Sequence, residues 1–196
     1  NPTGNNLDIN EMAKVITQFE GLVVVDEAYI DFSQQKSLRQ AVLKCPNLIV
    51  LHTMSKAWGQ AAIRLGMAFA SEDIVTIMNK VKYPYNINTL TQQQAISALR
   101  DQEQTDKQVK FLIQERQRMS AAIRMLPLCE NVYPSDANFL LVKTLNAQSI
   151  YDTLVKRGII VRNRHKITLC DNCLRITIGT KTENNELLAA LRDIRG

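Results

Sequence analysis

Lys56 stands in the segment Thr53-Met54-Ser55-Lys56-Ala57, directly behind an apolar run and eight residues before Arg64. A lysine that attacks an aldehyde must first lose its proton, which requires a cationic or desolvated setting. Arg64 can supply positive charge and Thr53 and Ser55 hydroxyl donors, so the same segment can also hold a phosphate dianion. Spacing alone leaves a second reading open, a lysine at a helix start on a solvated face. Asp26-Glu27-Ala28-Tyr29 forms another group, again just after an apolar run, residues 22–25. Ligands of open α/β sheets gather at the carboxyl ends of strands, which favours a carboxylate and a phenol at that place. Taken in isolation, Asp26 and Tyr29 also fit a cap or a turn.

The elements that must position these residues alternate between helix and strand. Asp8 can cap a helix running to about Phe19, with Ile9, Met12, Ala13, Val15, Ile16 and Phe19 on its apolar face. Residues 22–25 and 48–51 are short, wholly apolar runs, as expected of parallel strands buried on both faces. Residues 38–43 read as helical, Pro46-Asn47 as a break, and residues 65–70 as a third strand. Ser71 opens a further helix, with Glu72 and Asp73 in its first turn, where acids suit the helix dipole. Residues 91–126 are nearly free of Gly and Pro and suit one or two long helices. Strands are then expected at 139–142, 159–161 and 174–178, a helix at 147–156, and a last helix opened by Thr182-Glu183 and reaching Arg195. The pattern predicts an α/β chain. Its large, mostly parallel, doubly wound domain covers residues 1–105, followed over 106–196 by a bridging helix and a small α+β domain.

Composition narrows the class of function. The chain has 196 residues, 45% hydrophobic and 22% charged, enough for a true core. Its net charge of +5 is spread through interleaved acids and bases, which gives a weak preference for anionic ligands and little case for nucleic acid. No stretch approaches the ~18 apolar residues of a membrane span, and no leader is evident, so a cytoplasmic location is expected. Four cysteines are too few and too irregular for a disulfide scaffold. Cys170-Asp171-Asn172-Cys173 has the spacing of half a zinc site or a redox pair, but closing a zinc site takes four ligands. With His52 and His165 the only histidines, the expected reading is a turn before a strand, with no metal. His165 reads as a surface loop residue, and Met54 and Trp58 as packing beside Lys56.

These motifs resemble the fold-type I pyridoxal-phosphate aminotransferases and, within them, the histidinol-phosphate aminotransferases. The resemblance runs over the whole chain. It rests on Asn1-Pro2-Thr3-Gly4-Asn5, Val25-Asp26-Glu27-Ala28-Tyr29, the Lys56 segment with Arg64-Leu65-Gly66, and Ala137-Asn138-Phe139. Gly158-Ile159-Ile160-Val161-Arg162 and residues 174–180, which contain Arg175, complete it. It implies the C-terminal part of the pyridoxal-phosphate-dependent transferase fold, with pyridoxal 5'-phosphate carried as a Schiff base on Lys56. By the same resemblance Asp26 pairs with the pyridinium nitrogen, and Tyr29 and Asn1 donate to the ring's phenolic oxygen. Arg64, Ser55 and Thr53 hold the cofactor phosphate. Arg162 and Arg175 then look like clamps for a substrate phosphate, which offers more oxygens and charge than a carboxylate.

An unpaired charge inside the apolar strand around Arg175 would be costly, whereas Arg162 alone also fits a solvated strand end. Asn138 fits a substrate contact or a structural turn equally well.

The resemblance implies amino transfer between histidinol phosphate and 2-oxoglutarate, giving imidazole-acetol phosphate and glutamate, in histidine biosynthesis. The implied partners are thus a small phosphorylated amine and a 2-oxo acid, with a homodimer for the full-length protein. A phosphothreonine decarboxylase or an aromatic amino-acid aminotransferase of the same fold would use the same groups. A catalytically silent binding or structural domain is the alternative of another class. The turn chemistry at Asn1 reads as the start of a fragment of a longer polypeptide, and the resemblance implies a C-terminal fragment that is expected to be poorly active alone.

Overall fold

Helix α1 (Ile9–Gln18) begins where the Asp8 carboxylate accepts from the backbone N–H groups of Asn10 and Glu11 at 2.8 and 3.0 Å. This cap satisfies two of the donors that every helix start leaves open. The other end is closed from a distance. The Asn47 side-chain amide donates to the carbonyls of Ile16, Phe19 and Gly21 at 3.0, 3.2 and 3.2 Å. The Pro46-Asn47 break thus holds α1 on the sheet as well as ending a turn. The computed structural model describes residues 1–194.

Strand β1 (Val23–Asp26) pairs in parallel with β2 (Leu48–Thr53), and β2 pairs antiparallel with β3 (Gly66–Phe69). The α/β class is the expected one, but β3 departs from the parallel order. Its link from β2 contains no α-helix, only a 3-10 turn at Ala61–Ile63. A parallel return needs a crossover of about a dozen residues or more, usually helical. Here the connecting residues are spent on tight turns around Lys56. β1 also differs from a strand buried on both faces. Val23 and Val25 pack with Ile16, Leu48 and Val50, while Leu22 and Val24 are 58% and 55% exposed. The described residues therefore cover one face of β1.

Ser71 precedes α2 (Glu72–Val81), but its hydroxyl donates to the Pro46 carbonyl at 3.1 Å instead of capping the helix. The long helical stretch resolves into α3 (Thr89–Arg100), capped by Asn88, and α4 (Gln102–Arg124). By internal contacts Asn6–Val109 form one compact unit, and Asn1–Asn5 join the chain from Lys110 onward in the other. The expected division at 105/106 did not separate off those first five residues.

The second unit is built on β4 (Cys129–Val132), β5 (Phe139–Thr144), β6 (Arg162–Asn163) and β7 (Cys173–Thr177), in the order β4-β5-β7-β6 with all neighbours antiparallel. Between them run α5 (Ala147–Lys156) and finally α6 (Lys181–Arg192). Alternation along the strands decides the faces. Leu140, Val142, Leu174 and Ile176 enter one core with Met119 and Ile123 of α4, Ile150 and Leu154 of α5, and Leu187 and Leu191 of α6. Each such side chain contributes about 1.5–3 kcal/mol on burial. Leu141 and Cys173 face the other way and pack with Cys170 and Tyr133.

The strand expected at 159–161 forms instead at Arg162–Asn163. Ile159 N–H is still engaged by the Leu154 carbonyl at 2.9 Å, closing α5. α6 opens on a reciprocal cap: Thr180 Oγ1 accepts from Glu183 N–H, and the Glu183 carboxylate accepts from Thr180 N–H at 2.7 Å. The expected helix end at Arg195 lies outside the described residues. Glu115 of α4, 6% exposed, accepts from Arg118 and from Asn184 of α6 at 2.9 Å, and so pins the two helices together. Among the described residues no helix is long and apolar enough to cross a membrane.

Candidate active site

The carboxyl ends of the parallel pair β1 and β2 carry the candidate chemistry of the first unit. Asp26 is the last residue of β1, opposite Leu51 in register, and alternation places it on the open sheet face with Val24. Its Oδ1 accepts from Ala28 N–H at 2.9 Å, an Asx turn that bends the chain toward Tyr29. Glu27 next to it points inward. It is 6% exposed and accepts from Ser37 Oγ and from Leu38 N–H, which ties the strand end to the 3-10 turn at Leu38–Leu43.

At the end of β2, Thr53 Oγ1 accepts from Ser55 N–H at 3.0 Å and donates to the Leu65 carbonyl at 3.3 Å. Met54 and Ala57, 1% and 4% exposed, anchor the turn on either side of Lys56, which is itself exposed. Fixed backbone thus presents a free-standing amine. Lys56 Nζ lies 5.4 Å from the centroid of the Tyr29 ring, so the two neighbouring strand ends do bring lysine and phenol together. The expected packing role of Met54 agrees with its burial. Lys56 lies in a turn and not at the start of a helix.

Arg64 is exposed, and its backbone is left-handed, φ 56°. Its Nη1 donates to the Ala61 carbonyl at 2.8 Å. α3 holds this loop from the side, with Thr91 Oγ1 on the Ile63 carbonyl and Gln94 on Gln60. Asp26, Tyr29, Thr53, Ser55, Lys56 and Arg64 therefore all sit on loops or strand ends of one unit. A phosphate, a pyridinium, a phenolate and an aldehyde would each find a complementary group there, and this donor set fits pyridoxal phosphate.

The second unit carries the other candidates. Arg175 of β7 stands opposite Arg162 of β6 and opposite Leu141 of β5. Its guanidinium lies 5.0 Å from the Phe139 ring centroid, and its Nη1 donates to Asn1 Oδ1 at 2.9 Å. Asn1, expected to donate to the cofactor's phenolic oxygen, has its side-chain amide oxygen engaged by Arg175, which leaves its amide nitrogen as the donor. Residues 1–5 are drawn to this unit by Asp136 N–H on the Gly4 carbonyl at 2.7 Å. Gly4 has φ +80°, and a Cβ there would approach Ser135 Oγ to 2.7 Å, so only glycine fits. The Asn138 carbonyl accepts from Ile178 N–H at 2.9 Å, a structural tie between the start of β5 and the end of β7. Arg116 Nη1 secures the preceding residue through the Ala137 carbonyl.

Sequence reasoning gave no role to Glu27, Phe139 or the His52–Asp31 pair. His52 Nε2 lies 3.1 Å from Asp31 Oδ2, on the sheet face opposite Asp26. Strict alternation from Asp26 would have turned Glu27 inward. Phe139 and Asp31 leave no such signal, because their partners are distant in sequence. Cys170 and Cys173 are buried free thiols, joined by Cys173 N–H on the Cys170 carbonyl at 3.0 Å. Burial pushes the Cys173 thiol up, and the neighbouring Cys170 adds to this. Among the described residues no group of three or more His, Cys, Asp or Glu could hold a metal ion.

A family model for aminotransferase class I and II matches residues 1–191. The chain belongs to this family. It is 54% identical over 196 residues to the histidinol-phosphate aminotransferase of Bacteroides thetaiotaomicron, covering all of this chain and 57% of that protein. The histidinol-phosphate aminotransferase structure from Clostridium acetobutylicum superposes with a TM-score of 0.92 at 24% identity, covering 98% of this chain and 60% of that one. The structure from Sinorhizobium meliloti, in complex with pyridoxal-5'-phosphate, gives 0.89 at 26% identity, covering 98% and 54%. The chain thus spans between half and three fifths of the length of these class I and II aminotransferases.

Proposed function

We propose that this chain is the part of a pyridoxal-phosphate-dependent aminotransferase that carries its catalytic lysine. Its substrates would be histidinol phosphate and 2-oxoglutarate, in histidine biosynthesis. The observation that carries the proposal is the approach of Lys56 to Tyr29 at the ends of two paired parallel strands. Relatives that share half of its residues and are named histidinol-phosphate aminotransferase support the substrate. When bound, pyridoxal phosphate supplies an aldehyde for the amine and a protonated ring that accepts electrons from the substrate carbon.

Around that cofactor, Asp26 would keep the ring nitrogen protonated, since a carboxylate favours the charged form of a neighbouring base. Tyr29 would donate to the phenolic oxygen and limit where the Lys56 amine can swing. The oxygen of Asn1 is committed to Arg175, so its contribution there would come from the amide nitrogen. Arg64, Ser55 and Thr53 would bind the cofactor phosphate. Lys56 Nζ would hold the aldehyde until substrate arrives, then take the proton from the substrate carbon and return it. Arg162 and Arg175 would bind the phosphate of the amine, and Asn138 would border it. The first unit then serves as the cofactor domain and the second as the small domain. A homodimer in the cytoplasm belongs to the same reading.

The test is borohydride reduction and peptide mass mapping of the polypeptide at the length of its relatives, incubated with pyridoxal phosphate. A cofactor adduct is expected on Lys56, and it should disappear when histidinol phosphate is added before reduction. An adduct on another lysine would end the proposal. An adduct that O-phosphothreonine removes and histidinol phosphate does not would replace the substrate.

A further inference from the structure

The four-stranded sheet carries a third arginine, Arg164, which none of the roles above uses. Its N–H donates to the Cys173 carbonyl at 2.8 Å, extending by one residue the register that pairs Arg162 with Arg175 and Asn163 with Leu174. Strand side chains alternate between faces. Arg164 therefore shares a face with Arg162 and, across the pairing, with Cys173 and Arg175, while Leu174 and Ile176 fill the core on the other face.

Arg164 is half-buried, and its Nε is closed off from solvent with no hydrogen-bond partner among the described residues. Lys143, opposite Cys173 in β5, adds a fourth cation, held by Glu130 at 3.5 Å. Glu130 and Asp171 are the carboxylates near Cys173. Among the described residues neither Arg162 nor Arg164 takes part in an ion pair. With its Nε packed under cover and no ion pair among the described residues, the Arg164 guanidinium leaves its terminal nitrogens for a ligand. Guanidiniums gathered on one face are best relieved by an anion with several oxygens and more than one charge.

We infer that Arg164 is a third arginine of the substrate's phosphate site, its guanidinium turned to the same anion as those of Arg162 and Arg175, and that it sets the preference of this face for a phosphate dianion over a carboxylate. The inference rests on the reading in which Arg162 and Arg175 bind that phosphate.

The probe is inorganic phosphate, titrated into the polypeptide at its relatives' length labelled with nitrogen-15 at arginine, with acetate at equal ionic strength as the carboxylate arm. The arginine Nε–Hε signals are assigned by substitution. The Arg164 signal should shift saturably with phosphate, together with those of Arg162 and Arg175. Arg164→Gln should weaken phosphate about tenfold, the order expected for one lost charge-assisted bond, and leave acetate within about twofold. Arg164→Lys keeps the charge without the fork and should fall between. If Arg164→Gln disturbs the Arg175 amide signal in β7, Arg164→Lys decides by the same titration. Equal phosphate affinity in the variants and the parent, or an unmoved Arg164 signal while Arg162 and Arg175 shift, overturns the inference. If none of the three moves, the phosphate role of Arg162 and Arg175 falls with it.

Discussion

Nη1 of Arg175 donates to Oδ1 of Asn1 at 2.9 Å, one bond between residues at opposite ends of the chain. The same guanidinium rests on the face of Phe139. An amide oxygen and an aromatic ring thus fix where the charge of Arg175 stands. An arginine meant to bind an anion gains from such fixing, because less side-chain entropy is lost when the ligand arrives.

Removing the amide should therefore appear in substrate affinity. Asn1→Ala deletes a hydrogen bond to a charged group, worth about 1.5 kcal/mol at the low end that suits an exposed pair. That predicts a KM for the phosphorylated amine raised about tenfold, together with a fall in kcat, because the amide nitrogen offered to the cofactor's phenolic oxygen is lost as well. Asn1→Asp should do worse, since a carboxylate beside Arg175 competes with the incoming phosphate. Steady-state kinetics on the polypeptide at its relatives' length is the measurement, and an unchanged KM in Asn1→Ala would dismiss the orienting role.

Arg64 combines a cation with a left-handed backbone, a conformation that costs a residue other than glycine about 1–3 kcal/mol. Two substitutions separate these properties. Arg64→Ala removes the cation and keeps the strain, whereas Arg64→Gly removes both. Each should weaken pyridoxal phosphate by about tenfold or more through the lost charge-assisted bond. Arg64→Gly should nevertheless be the more stable of the two by about 1 kcal/mol. Cofactor titration and urea midpoints measure these effects, and normal cofactor binding by both variants would remove Arg64 from the phosphate site.

Much of this was legible in the sequence, for identifiable reasons. Asp8 as a cap, residues 147–156 as α5 and strands near 22–25 and 48–51 follow from local chemistry and periodicity, although β1 and β2 run on to Asp26 and Thr53. Each signal is complete within a few residues. The antiparallel turn of β3 was not legible, because a wholly apolar strand looks the same in either direction. What decides it is the tight connection around Lys56, whose turns depend on the burial of Met54 and Ala57. Likewise Asn1 and Arg175 could be named as polar candidates, but no local pattern pairs residues from opposite ends of a chain. Arg164 escaped notice because an arginine beyond a strand end reads as solvated until the register places its Nε under cover.

Glu115 shows the same limit, and it makes a prediction about pH. It lies mid-helix in a charged stretch, yet it is buried against α6 with Arg118 and Asn184 as donors. The Arg118 hydrogen bond, opposed by burial and helped by Asn184, holds its carboxyl below the usual range. A carboxyl depressed in the folded state contributes stability that is fully present above its unfolded pKa of about 4.3, and that is lost as pH falls through the folded value. Arg118 is 37% exposed, so solvent screens part of the pair. Glu115→Gln should therefore cost about 1.5 kcal/mol at pH 7, the low end for a hydrogen bond to a charged group. The deficit should shrink below about pH 4.3, as the parent's own carboxyl takes up a proton. Urea unfolding of parent and variant from pH 7 down to pH 3 measures the difference. A gap that stays constant over that range would mean that Glu115 acts through shape alone and that its charge adds nothing to the contact between α4 and α6.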